Sequence, residues 1–329
     1  MEPVQEQSIV GIDVSKRTVD VAISTTSGSR SYPNSGPGFT ALIAEIAVMP
    51  RALIVLEATG EYHIPLVEAL EAAGYLTAIC HPGHVRAYVR SMGMRSKTDR
   101  IDACMLVAFG SARRPVARPL GAPQLRHLQA LLARRDDLMT MRTMESNRHH
   151  ATHDQVIAAS LGQMIAILTA HIQQLDRAIA ELIASEPALT RRSTQLQTVP
   201  GIGPHVAARC LACLPALGTM TAKQLAALVG VAPYARDSGQ FHGKRFIQGG
   251  KATLRQTLYL AINSTVHCTR SANALKTHYT HLRHLGKPHN VAMIATIRRL
   301  LTYLTVMTRD HLTWEQLDIN QRAPAALAA

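Results

Sequence analysis

Ser8-Ile-Val-Gly-Ile-Asp-Val-Ser15 is a short apolar run rich in β-branched residues, broken by one carboxylate, Asp13. Its length and composition predict a buried strand, because β-branched side chains pack well on a pleated surface. Residues 18–23 follow at hairpin distance and alternate apolar with polar, as a second strand should. Residues 24–38 are rich in Ser, Gly and Pro and read as turn and loop, with room for a short strand near Ser31 and Tyr32. Helical and strand patterns then alternate. Helices are expected at 40–48, 62–73, 84–91 and 99–112, and strands at 52–57 and 75–80. A hairpin-led sheet followed by β–α alternation predicts a mixed α/β layer domain over 1–120, of ribonuclease-H-like type if its acids fall together.

The acids are placed suggestively. Asp13 lies in the first strand, and Glu57 ends the strand before it turns into loop. Asp99 and Asp102 are spaced i, i+3 at a helix start and share a face. A carboxylate on a buried strand is costly unless it is paired or bound to a cation. Hard oxygen donors suit Mg²⁺ or Mn²⁺ and phosphoryl transfer. Taken singly, each acid has an ordinary explanation, such as a salt bridge for Glu57 or a helix cap at Asp99. All four in one chain favour a metal site.

Charge divides the chain sharply. Residues 187–309 carry 16 Lys and Arg and one carboxylate, Asp237, a balance of +15 against +13 for the whole chain. Residues 1–186 hold 18 bases and 18 acids and balance to zero. A segregation this complete points to a polyanion, and to nucleic acid before an anionic membrane. Aromatic content of 4 % argues against single-strand base stacking as the main source of binding. Hydrophobic content of 47 % over 329 residues is ample for two or three packed domains. The five cysteines are odd in number and scattered, and no signal peptide is evident, which suits a cytoplasmic protein with free thiols. No uninterrupted apolar run approaches the roughly 20 residues of a membrane span.

Residues 121–189 read as helical. Leu161, Ile165, Leu168, Ile172, Leu175, Ile179 and Leu182 alternate spacings of four and three without a break, an a/d seam. Such a seam favours a dimerising coiled coil, with an antiparallel hairpin within one chain as the alternative. Residues 190–315 read as mainly helical with two glycine-rich interruptions, and 316–329 as a disordered tail. The first interruption, Val199-Pro-Gly-Ile-Gly203, resembles a helix-hairpin-helix turn in which Gly201 and Gly203 let backbone amides approach a phosphate. The second, residues 237–250, carries Ser238. Arg236, Lys244, Arg245, Lys251 and Arg255 lie near it and could orient a phosphodiester. On residues alone Ser238 is an ordinary loop serine. Cys210 and Cys213 form a lone CxxC without two further ligands at zinc spacing and read as core. His278, His281 and His284 fall at i, i+3, i+6 and read as facing solvent or phosphate.

These motifs occur in a diagnostic order. Gly11-Ile-Asp-Val-Ser-Lys16, Leu56-Glu-Ala-Thr-Gly60, Lys97-Thr-Asp-Arg-Ile-Asp-Ala103, Val199-Pro-Gly-Ile-Gly203, Ser238-Gly239 and Gly250-Lys with Leu254-Arg255 together resemble the IS110/IS1111 insertion-sequence transposases, a family that includes Piv-type DNA invertases. The resemblance runs from about residue 8 to 315. It implies a RuvC-like, ribonuclease-H-like N-terminal domain whose acid set matches Asp13, Glu57, Asp99 and Asp102. It also implies a C-terminal transposase domain whose catalytic serine matches Ser238. That serine would form a covalent link to DNA beside Mg²⁺ (or Mn²⁺) held by the acids. The implied partners are double-stranded DNA, a bridge guide RNA pairing with donor and target, and further copies of the chain as dimer or tetramer. No membrane partner is expected. Rival readings are a Piv-like invertase without RNA guide, a Holliday-junction-type nuclease using the acids and water alone, and a non-catalytic nucleic-acid scaffold.

Overall fold

In a computed structural model, the structure describes residues 7–49, 51–58, 60–93, 99–239, 241–243, 245–267 and 273–317; the side chains of 99–101, 241 and 242 are not among them. The chain divides into two compact units, residues 1–121 and 122–329.

The first unit is a five-stranded mixed sheet flanked by helices. Strands β1 (Ile9–Val14), β2 (Thr18–Ile23) and β3 (Ser29–Pro33) form an antiparallel meander. Helix α1 (Gly36–Ile46) follows, then β4 (Leu53–Glu57), α2 (Ile64–Ala72), β5 (Thr77–Cys80), α3 (Pro82–Ser91) and α4 (Asp99–Arg113). The sheet order is β3-β2-β1-β4-β5, with β4 and β5 parallel to β1. Elements fall where the hydrophobic pattern puts them. The first helix begins earlier than its periodicity suggests, because Pro37 supplies a helical φ in its first turn.

The pleat sorts this sheet into two cores. Val10, Ile12, Val14, Ile54 and Leu56 join α1 and α2 on one face. Ile9, Leu53, Val55, Ala78 and Cys80 join α3 and α4 on the other. Gly11 makes the second face possible. An added Cβ there would stand 2.7 Å from the Val107 amide nitrogen and against the Ala103 carbonyl, so only glycine lets α4 lie directly on β1.

The second unit opens with an antiparallel helical hairpin, α5 (Pro123–Ala151) and α6 (Gln155–Ser185). Asp154 starts α6 by accepting from the Val156 and Ile157 amides at 2.8 and 3.0 Å. The a/d seam of α6 faces α5: Leu168 and Ile172 are buried with Leu138, and Ile179 is buried with Leu128 and Leu132. Within the chain the seam is therefore spent on the hairpin. Helices α7 (Pro187–Gln197), α8 (Pro204–Cys213), α9 (Ala222–Val229), α10 (Ala252–His267), α11 (Ala274–His284) and α12 (His289–Asp310) build the remaining core around Leu300, Leu301, Leu304 and Met307. Four two-residue strands interrupt them between α9 and α10.

Two helices, α6 and α12, are long and apolar enough to cross a membrane by length and composition. The expectation that no uninterrupted apolar run reaches that length stands beside this: no single run in either helix is unbroken, and it is the average over each helix that is high. In α12, 61 % of the apolar window is buried inside the protein, as a core helix requires.

Candidate active site and nucleic-acid contacts

Asp13 and Glu57 share one face at one end of the first unit's sheet. Directly paired residues sit on the same side of a sheet, and successive residues alternate. Ile9 and Gly11 face α4, so Asp13 does too, at the C-terminal end of β1. Ile12 pairs with Leu56 in the parallel β1–β4 ladder, which sets Glu57 beside Asp13 one step on. Glu57 pairs in turn with Cys80, and Asp13 pairs with Asp20. One transverse row across four strands therefore reads Asp20, Asp13, Glu57, Cys80. Burial first, and the charge of Glu57 second, push the Cys80 thiol up from its ordinary pKa.

Helix α4 delivers the other pair of acids to that end. Gly110 packs on Ile9 and Val55, while Ala103 and Val107 pack on Gly11. The helix thus runs antiparallel to β1, and its first turn, with Asp99 and Asp102, lies at the Asp13 end. The Asp99 side chain is outside the described residues. Among the described residues no three His, Cys, Asp or Glu side chains stand close enough to hold an ion by themselves. The donor chemistry of the acids nevertheless fits a hard cation: each offers a carboxylate oxygen. Asp20 adds weight. It is 6 % exposed, and among the described residues nothing hydrogen-bonds or ion-pairs with its carboxylate. Sequence reading missed it, since Thr18-Val-Asp-Val looks like ordinary alternation; its burial is visible only once β2 is flanked by β1, β3 and α4.

Ser238 occupies a projecting ribbon in the second unit. Strands β6 (Pro233–Tyr234) and β9 (Phe246–Ile247) form its lower rung, and β7 (Asp237–Ser238) and β8 (Phe241–His242) its upper rung. Ser238 pairs with Phe241 across the tip, and Gly239 turns there with φ of 56°. The serine is exposed, and among the described residues no group hydrogen-bonds its hydroxyl. Arg236 lies against the Phe246 ring at 5.5 Å, and Arg245 is exposed. Lys244 lies outside the described residues.

Two of the suggested phosphate contacts do structural work. Arg255 Nη1 donates to the Gly249 carbonyl at 2.7 Å and to those of Gly230 and Val229 at 3.3 and 3.4 Å, tying the base of the ribbon to the end of α9. Lys251 Nζ donates to the Cys213 carbonyl at 3.1 Å, at the end of α8. Sequence shows a nearby cation but not the backbone acceptors that occupy it.

The two turn glycines also differ. Gly201 has φ of 85°, and its Cα abuts α10: an added Cβ would strike Thr265 Oγ1, which itself donates to the Pro200 and Ala261 carbonyls. Gly203 caps α8 with no side-chain partner, and nothing lies within 4 Å of where its Cβ would be. Gly201 thus packs the turn, while Gly203 offers an open helix start suited to an anion. Cys210 and Cys213 are free thiols. Cys210 is fully buried in the core, which pushes it up to about 12. Cys268 lies outside the described residues.

A carboxylate row at one end of a sheet, joined in one chain to a basic helical unit with a glycine turn, suits an enzyme that acts on nucleic acid. Residues 10–158 match the DEDD transposase model of IS110 elements, and residues 193–279 match the model described as Transposase IS116/IS110/IS902 family. The chain belongs to the IS110 family of transposases. Among its relatives, the pilin gene-inverting protein of Moraxella lacunata is 28 % identical over 317 residues, covering 93 % of this chain and 97 % of the relative. Its counterpart in Moraxella bovis is also 28 % identical, with the same coverage. An uncharacterized 43.6 kDa protein of insertion element IS110 from Streptomyces coelicolor is 28 % identical over 49 % of this chain and 38 % of the relative.

Proposed function

We propose that this transposase cuts and rejoins DNA strands through a covalent serine link. Ser238 Oγ attacks a phosphodiester phosphorus, the bond to one sugar oxygen breaks, and the strand stays joined to the protein until a new sugar oxygen reverses the step. The serine proton passes to a base and the departing sugar oxygen takes one up, so the phosphodiester count is unchanged. Asp13, Glu57, Asp99 and Asp102 would hold Mg²⁺, which when bound supplies positive charge against the phosphoryl oxygens. The ribonuclease-H-like reading of the first unit rests on the antiparallel β1–β3 meander continued by parallel β4 and β5.

The observation that carries this reading is the gathering of Asp13, Glu57 and the start of α4 at one end of the sheet. The ordered family motifs, Ser238-Gly239 among them, carry the serine assignment. Ser238→Ala should abolish strand exchange and any SDS-stable protein–DNA adduct. An adduct that survives Ser238→Ala refutes the nucleophile. Metal-dependent cutting that survives it without rejoining favours the junction-nuclease reading.

A second reading, inversion of a DNA segment, is favoured by relatives that match along almost their whole length and are named as pilin gene-inverting proteins. Guidance by a bridge RNA rests on the family resemblance. A structured transcript beside the gene, with loops complementary to donor and target, would support it, and exchange by purified protein without RNA would refute it. Assembly into dimers or tetramers is supported by Val156, Ile157, Met164 and Ile167, exposed along the first half of α6 away from its seam. Action on DNA supports a cytoplasmic setting.

A further inference from the structure

The start of α9, the middle of α11 and the last four turns of α12 enclose a cavity of about 580 Å³. Lys223, Arg298, Arg299 and Arg309 all line it, together with His278. Among the described residues one carboxylate balances this wall: Asp310 accepts from Arg309 Nε at 2.8 Å and Nη2 at 3.1 Å. Among the described residues Lys223, Arg298 and Arg299 have no acidic partner.

Arg299 is held ready by neutral groups. Its Nε donates to the Tyr303 hydroxyl at 2.6 Å, its Nη1 faces His278 Nδ1 at 3.3 Å, and its guanidinium lies 5.5 Å from the Tyr303 ring centroid. A guanidinium can only donate, so His278 Nδ1 accepts and the ring proton sits on Nε2. Burial and Arg299 keep that ring neutral, with its pKa lowered to about 4. Neither partner offsets the positive charge. On the facing wall Thr221 caps α9 through a capping box with Gln224, and the positive end of that helix dipole adds to the field.

A half-buried cation with only neutral partners is costly, and an anion in the cavity relieves it. The volume is that of a ligand pocket and well above what a bare ion fills. We propose that this cavity is a phosphodiester pocket, taking the backbone of a nucleic-acid strand at a site separate from the Gly203 turn and the Ser238 ribbon. It rests on the proposed function only in taking the phosphate from nucleic acid.

The test uses the full chain, with anisotropy of a labelled 30-base-pair duplex and of a single-stranded RNA of equal length, titrated over salt. Lys223 and Arg298 are exposed, so the pair Lys223→Glu with Arg298→Glu should fold as wild type. It should lose about tenfold or more in affinity. Its log–log salt slope should fall by roughly 0.9 per lost contact on duplex and roughly 0.7 on RNA. Arg299→Gln should lower the slope by about one contact. The substrate that shows the change identifies the strand.

Unchanged slope and affinity in both variants, on both nucleic acids, overturns the proposal. So does a result in which inorganic phosphate or a nucleoside monophosphate raises the melting temperature of wild type but not of the variants while nucleic-acid binding is untouched; the occupant is then a small anion. Failure of the serine mechanism appears separately, as an adduct surviving Ser238→Ala with the wild-type salt slope intact.

Discussion

Asp13 and Asp20 stand directly opposite each other on antiparallel β1 and β2, on the sheet face that α4 covers. Like charges in that position repel, and among the described residues no donor compensates the Asp20 carboxylate. Without a divalent cation the pair should cost stability. Asp20→Asn removes one charge at constant shape and should stabilise the protein in EDTA by roughly 0.2–1 kcal/mol, read as a raised urea midpoint at unchanged m. If a cation bound at this end of the sheet relieves the repulsion, Mg²⁺ should stabilise wild type more than Asp20→Asn. Equal midpoints in EDTA would show that the two carboxylates do not repel.

His278 sets a pH limit on the second unit. Burial first, then Arg299 and His281, lower its pKa from 6.5 to about 4. The unfolded chain therefore binds the proton more readily than the native one. The sign follows: stability is full above pH 6.5 and falls as pH drops from 6.5 towards 4. His278→Gln keeps an acceptor for Arg299 and removes the titration. Urea midpoints at pH 7.5 and 5.0 should differ less in the variant than in wild type. An identical pH dependence would mean that His278 charges freely in the native state.

Strand placement was legible because β1 and β4 are buried on both faces and read as apolar runs, β5 is a short apolar run, and β2 alternates visibly. Asp13 and Glu57 stood out because a carboxylate in such a run is anomalous. The partner of the α6 seam was not legible: a/d spacing states that a helix must be covered, not which helix covers it, and α5 has a weaker repeat of its own. The structural role of Arg255 and Lys251 was hidden for a related reason. Their acceptors are main-chain carbonyls at the ends of α9 and α8, which no residue type announces. His278, one of three histidines on a helix face, gained meaning only when α12 brought Arg299 to it.

Arg209 is a buried charge whose partner is on another helix. Its side chain is 6 % exposed, and Nη2 donates to Asp136 Oδ1 of α5 at 2.6 Å. Its Nε is buried with no partner among the described residues. Removing the carboxylate leaves an uncompensated buried guanidinium, so Asp136→Ala should destabilise the second unit by about 3 kcal/mol. Arg209→Met with Asp136→Leu replaces the pair by apolar volume and should cost far less than Asp136→Ala alone. A chemical-denaturation cycle over Arg209→Met, Asp136→Leu and the double variant measures the coupling. Additive losses would show that the pair contributes nothing as a pair.

The glycine turn separates packing from binding in two substitutions. Gly201→Ala meets a φ of 85° and the Thr265 hydroxyl at once, so it should cost about 2 kcal/mol or more and lower the melting temperature of the second unit. Gly203→Ala meets neither obstacle: φ is −87° and its surroundings are open. Its fold should be retained. If the uncapped α8 start receives a phosphate there, the added methyl should stand in the way, and duplex affinity should fall several-fold at constant melting temperature. Melting curves and anisotropy on the same two proteins give the four readings. Loss of affinity in Gly201→Ala but not in Gly203→Ala, with both still folded, would place the phosphate at Gly201 and reverse the assignment.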